Sequence, residues 1–266
     1  MAAPEARRAP SVVVTARPEM SSSALVTGRL FGTMEVQAKG RPVSFGRAEG
    51  RDLFALLACS KDGEAQDVVI GRLWPEQAEH ASQHLETGVR DINAAIRGVT
   101  GLSAGVRFVV KSGRRRHLAA AYFDIDLWRF DQAHLAAKTG PDDQARVEAL
   151  RQMVALYQGQ LLADRDDLWI LPLRQAASRR ALAAVTRLAE LEAASDPDHA
   201  LDLLSLAAER IDPYSEVLWC QVMTIQARLG RLPAVRLAFQ QLSERLREID
   251  AEPSRQARQV YRRLTE

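Results

Sequence analysis

Cysteine is scarce in this chain: two among 266 residues, Cys59 and Cys220, in opposite halves and both in apolar helical surroundings. That excludes a disulfide-stapled scaffold and leaves two buried small hydrophobes, which suits a reducing cytoplasm. No apolar run approaches the roughly 18 residues of a membrane span, so no membrane partner is expected. Residues 1–24 lack the apolar core of a secretory signal, and their Ala, Pro, Arg and Ser content reads as a disordered tail. Neither GxxxxGK[ST] nor GxGxxG occurs, which removes the commonest nucleotide-cradling loops. A strong charge of either sign is missing as well, with 36 basic and 34 acidic residues giving a formal net of +2.

Catalytic and metal chemistry find little to stand on. His80 and His84 are four apart on one helical face, but no third ligand is nearby and nothing reads HExxH. Asp164, Asp166 and Asp167 precede Trp169 in an acidic turn, where helix capping is the expected role. The chain is therefore expected to be no enzyme and to hold neither cofactor nor metal.

What is present divides into two unlike halves. Over residues 25–125, apolar positions alternate through Leu25, Thr27, Leu30, Met34 and Val36, with Gly40 and Pro42 as breaks before Val43 and Phe45, predicting short antiparallel strands. Residues 48–59 place Leu53, Leu56 and Leu57 on one face of a helix, and a turn at 61–64 contains Gly63. A second helix covers 67–74, ended by Pro75. A third spans about 79–97, with Ala81, Leu85, Val89, Ile92 and Ile96 as one buried stripe and Glu86, Arg90, Asn93 and Arg97 on the polar face. The chain then alternates through Val106, Phe108 and Val110, turns at 111–116 (KSGRRR), and returns through Leu118, Ala120 and Tyr122 as a hairpin. Strands, three helices and a basic hairpin make a winged helix-turn-helix, whose third helix enters the major groove while the wing touches phosphates.

Residues 126–266 read as helices throughout. Ala200 and Ala234 stand 34 residues apart, each after a helix-pair turn, Asp196-Pro197-Asp198 and Gly230-Arg231-Leu232, and 34 is the tetratricopeptide period. A helix over 214–229 carries Val217, Leu218, Val222, Ile225 and Leu229 as a stripe to be buried. Stacked pairs of this kind leave a groove suited to peptides or protein helices. The predicted architecture is mostly α: a winged helix-turn-helix of α+β type at 25–125, then an all-α, tetratricopeptide-like repeat domain at 126–266.

Four motifs give this arrangement a resemblance. VVIGRLWPEQAEHASQHLETGVRDINAAI resembles the helix-turn-helix of the OmpR/PhoB-type winged helices in the antibiotic regulatory protein (SARP) family. DIDLWRFDQAHLAAK at 124–138, LYQGQLLAD at 156–164 and AEPSRQARQVYRRL at 251–264 are similar, in that order, to segments of that family's bacterial transcriptional activator domain. The resemblance implies a bacterial DNA-binding regulator, an activator, acting in the cytoplasm. Its partners would be double-stranded DNA and RNA polymerase or another regulatory protein, with a homodimer left open. DNA contacts would come from Gln83, Thr87, Arg90, Asn93 and Arg97 on the third helix and Lys111, Arg114, Arg115 and Arg116 on the wing. One departure favours a rival. Asp91 and Asn93 stand where the family usually has arginines, and an aspartate facing phosphates would repel them. Residues 25–125 hold only 14 basic against 11 acidic side chains. The alternative is a winged-helix scaffold that has lost DNA binding and works through its helical repeats.

Overall fold

The structure, a computed structural model, describes residues 24–76 and 79–266; the expected disordered tail lies outside the described residues but for Ala24. The alternation at the start of the chain forms β1 (Val26–Arg29) and β2 (Glu35–Ala38), paired antiparallel, with β3 (Arg41–Pro42) beside them. Val26, Val36 and Ala38 face the core, as a period of two requires. Next come α1 (Ala48–Ala58), the short β4 (Glu64–Ala65), α2 (Gln66–Leu73) and α3 (Ala81–Thr100). The third helix runs three residues beyond its expected end, to where Gly101 takes a left-handed φ of 72° and closes it. Ala81, Leu85, Ile92 and Ile96 are buried as the spacing predicts, whereas Val89 is half-buried and Gly88 lies closer to α1.

The wing is shorter than its sequence pattern. It consists of β5 (Val109–Ser112) and β6 (Arg115–Leu118), joined by Gly113 and Arg114, with β4 as a third strand on β6. Residues 120–122, expected to prolong the returning strand, form a 3-10 turn instead. The chain then enters β7 (Phe123–Ile125), which pairs parallel with β1 and completes a sheet of order β3-β2-β1-β7. That parallel strand places the start of the helical half directly against the first sheet.

The helical half comprises α4 (Asp126–Thr139), α5 (Asp143–Leu156), α6 (Leu171–Glu192), α7 (Pro197–Arg210), α8 (Glu216–Arg228), α9 (Leu232–Arg247) and α10 (Arg255–Thr265). The 34-residue period is visible in what is buried: Leu201, Leu204 and Ala208 on α7 correspond to Val235, Ala238 and Leu242 on α9. Ala200 itself is fully buried while Ala234 is half-buried. On α8, Leu218, Val222 and Ile225 face inward as expected, but Val217 is 60% exposed, lying outside the arc that meets α7 and α9.

One hydrophobic core runs through residue 125 without a break, joining the winged helix to α4, α5 and α6. Phe31 sits between Phe130, met edge-to-face, and Tyr157, met at a tilt, with ring centroids 5.1 and 5.0 Å away. The Trp128 indole donates to the Ala58 carbonyl at 2.8 Å. The buried Asp126 carboxylate accepts the backbone N–H groups of Leu30, Phe31 and Leu127. Burial nevertheless raises its pKa to about 6, against the lowering pull of those three donors.

The acidic turn at 164–167 does not cap a helix; its side chains tie the halves together. Asp164 accepts the Met34 N–H at 3.1 Å and pairs with Arg51. Arg165, between the aspartates, bridges Asp167 and Asp52 of α1 at 2.8 Å each. The backbone of 160–163 bonds to that of 30–32 alongside.

Candidate nucleic-acid interface

Helix α3 is held along both edges. On one edge the Asp91 carboxylate accepts the N–H groups of Gly46 and Arg47 at 3.2 and 3.1 Å, where α1 begins with unsatisfied donors. On the same edge His84 Nδ1 lies 3.1 Å from Glu49, with its ring stacked on Trp74 at 5.7 Å. The Glu49 carboxyl is held below its usual range by a backbone hydrogen bond at the start of α1 and by His84. The crossing of α1 and α3 is close: a Cβ on Gly50 would lie 2.1 Å from Asp91 Oδ2, and one on Gly88 2.7 Å from the Glu49 carbonyl.

The opposite edge is held by the wing. Asn93 is buried, with its Nδ2 donating to the Val89 carbonyl at 2.7 Å and its Oδ1 accepting the Phe108 N–H at 2.7 Å. Arg97 donates to the Val106 carbonyl through Nε and Nη2, at 3.0 and 2.6 Å. Glu86 pairs with Arg116 of β6. At the C-terminal end, Lys39 and Arg41 donate to the Thr100 and Val99 carbonyls, closing the last turn.

Between these edges one stripe of α3 stays open. Gln83, Thr87, Arg90 and Ala94 follow at intervals of four, three and four, so they share a face; Thr87 is half-buried and the other three are exposed. The Arg90 guanidinium is steadied by a 3.3 Å bond from Nε to the Glu86 carbonyl, one turn back. Three of the expected reading residues thus remain together. Asn93 and Arg97 do not join them, because both side chains are spent on the link from helix to wing. Ala94 was missed by sequence reasoning that looked for polar residues. Its signal was its position, four residues after Arg90.

The basic hairpin also divides. Only Gly113, with φ 59°, and Arg114 form the turn, and Lys111 and Arg114 are exposed. Arg115 folds back, donating to the Asp62 and Gly63 carbonyls at 3.3 and 2.5 Å. Arg116 turns to Glu86 with its side chain only 12% exposed. Adjacent strand residues point to opposite faces, so a run of three arginines cannot present one cationic surface. Gly63 is required beneath them: its φ is 75°, and a Cβ would lie 2.4 Å from the Arg116 carbonyl.

A helix-turn-helix and a wing thus stand first, and helical pairs follow, joined to them through one core. The bacterial transcriptional activator domain matches residues 125–265, more than half of the sequence. The chain belongs to the bacterial transcriptional activator domain family. With its N-terminal winged helix it is a SARP-type transcriptional regulator, a class defined by regulation rather than by an enzymatic reaction. Among solved structures, Mycobacterium tuberculosis EmbR in complex with a low affinity phosphopeptide is similar, with a TM-score of 0.68 and 22% sequence identity. That match covers 90% of this chain and 65% of the EmbR chain, and at this identity it shows a shared fold. No curated protein matches the sequence. Among the described residues no helix is long and apolar enough to cross a membrane.

In this SARP-type regulator the two departures from the family pattern have structural explanations. Asp91 does not face outward beside the open stripe; it is turned to the start of α1. Asn93 is buried under the wing. Repulsion of phosphates would need Asp91 to face outward, and an arginine's loss at 93 would matter only on an outward face; the fold turns both side chains inward.

Proposed function

We propose that this regulator reads double-stranded DNA with the open stripe of α3 and steadies itself on the phosphate backbone with Lys111 and Arg114. The observation that carries the reading is the division of α3: His84, Glu86, Asp91, Asn93 and Arg97 on its edges are bonded to α1, its N-terminal approach or the segment 106–116, while Gln83, Thr87 and Arg90 face outward together. These three supply the chemistry of base-edge recognition. Arginine presents a planar donor pair to guanine, and glutamine pairs a donor with an acceptor for adenine. Ala94 adds a small apolar surface that lets the helix approach closely, suited to a thymine methyl. The family and the fold support a role in transcriptional regulation, and activation would proceed through a protein such as RNA polymerase meeting the helical half. Of the grounds for the rival scaffold reading, Asp91 and Asn93 are turned inward, while the low net charge of residues 25–125 still favours it.

Fluorescence anisotropy with random-sequence duplex DNA over a range of salt concentrations tests the proposal. Binding should weaken linearly in log salt, and the Lys111→Ala/Arg114→Ala variant should reduce the slope by about 2, one for each cation removed from a phosphate. No binding at low salt would refute DNA reading and transfer the function to the helical repeats.

A further inference from the structure

The exposed face of the helical repeats is divided by charge. On α7 the outward residues Asp202, Ser205 and Glu209 follow at intervals of three and four, and α9 presents Gln241, Glu244 and Glu248 at the same intervals. Ser205 and Glu209 face the α9 residues across a groove of about 510 Å³ whose floor includes Trp219, Val222 and the 55% exposed Leu237. Among the described residues Glu248 is paired with Arg245 at 3.1 Å, whereas Asp202, Glu209 and Glu244 make no ion pair. The Gln226 Oε1 atom lining the groove is buried with no hydrogen-bond partner. Arg245 lines the groove too, so its rim carries Glu209, Glu244 and the Glu248–Arg245 pair above a floor of mixed apolar and polar side chains.

Helix α10 has the opposite sign. Its inner face is held by Ala257, buried, and by Tyr261, stacked on Phe239 at 4.3 Å. Its outer face exposes Arg255, Arg258 and Arg262, again at intervals of three and four, with Arg263 beside them. Arg258 is paired with Glu252 at 3.2 Å, which leaves Arg255 and Arg262 seven residues apart, ~10 Å along the helix, as Asp202 and Glu209 are on α7.

We propose that the groove between α7 and α9 receives the arginine face of α10 from a second copy of the chain. A two-fold pair makes this contact twice, one groove and one helix from each protomer. The guanidinium groups meet Glu209 and Glu244, with Asp202 one turn further along α7, while the arginine stems cover Trp219, Val222 and Leu237. Charge complementarity at matched spacing selects this occupant. The proposal goes beyond DNA reading and does not depend on it.

Sedimentation of the full chain at micromolar concentration, in low and high salt, tests it with two charge reversals. Glu209→Arg/Glu244→Arg makes the groove basic, and Arg255→Glu/Arg262→Glu makes the helix acidic. All four residues are exposed, so thermal unfolding should be unchanged in both variants. Each variant alone should associate about tenfold more weakly than the parent, because like charges then meet. Mixed in equal amounts the two should associate again, since the reversed groove meets the reversed helix while the native groove meets the native helix. A parent chain that is monomeric in low salt, variants that associate undiminished, or a mixture that stays apart would each overturn the proposal.

Discussion

The Phe108 N–H, at the approach to the wing, is bonded at 2.7 Å to the side-chain oxygen of Asn93 on α3. The same side chain donates back to its own helix at Val89, so one buried amide sets the distance between the outward stripe and the basic hairpin. Replacing it by alanine leaves a buried N–H without a partner. Asn93→Ala should lower the unfolding free energy by about 2 kcal/mol in urea titrations. A loss within error of zero would show that the amide does not hold the wing.

Gly50 and Asp91 should be coupled with a defined sign. With Asp91 present, Gly50→Ala forces the carboxylate off the start of α1 and should destabilise the protein by about 1–3 kcal/mol. In an Asp91→Ala background the two nearest clashes are gone and only the 3.0 Å contact with the Cβ of residue 91 remains, so the same change should cost at least about 1 kcal/mol less than in the parent. A double-mutant cycle measures the difference, and additive effects would refute the close crossing.

Asp126 predicts a pH dependence. Its folded pKa of about 6 lies above the ordinary 3.8, so the folded chain binds its proton more tightly than the unfolded chain. Its contribution is therefore fully present below pH 3.8 and is lost as pH rises through about 6, amounting to about 3 kcal/mol. Relative to Asp126→Asn, the parent should lose stability between those limits. Parallel stability curves for the two proteins from pH 4 to 7 would contradict this.

Arg165 binds the halves through two carboxylates with its side chain only 10% exposed. Arg165→Ala leaves Asp52 and Asp167 without their cation and should cost about 3 kcal/mol in chemical denaturation. Arg165→Lys should recover part of it, because lysine reaches one carboxylate rather than two.

Arg90 and Arg115 separate reading from scaffolding. If α3 reads bases as proposed, Arg90→Ala should weaken binding to selected sites by about 1–3 kcal/mol and relax preference at one position, with stability unchanged. Arg115→Ala should instead loosen the wing from the Gly63 turn, appearing in unfolding before it appears in DNA binding. Equal loss on every sequence from Arg90→Ala would remove its reading role.

The periodic features of this protein were legible without a structure. Leu85, Ile92 and Ile96 recur at helical spacing because a helix must bury one side. The period of 34 recurs because each helix pair buries the same face against the next, and Gly63 marked a turn because its left-handed backbone favours glycine. Sequence alone thus determined the order of modules and the inward face of most helices.

Tertiary structure decided which polar side chains remain available. Asn93, Arg97, Arg115 and Arg116 look as eligible for DNA, and Asp91 as outward-facing, as Gln83, Thr87, Arg90 and Arg114, since polarity and local spacing do not reveal a partner. Buried or terminal backbone groups at Phe108, Val106, Gly46, Arg47 and Gly63, distant in the chain, claim four of the first five, and Glu86 claims Arg116. An unpaired buried polar group costs more free energy than an exposed one, so packing assigns these side chains to the scaffold and leaves the others facing outward.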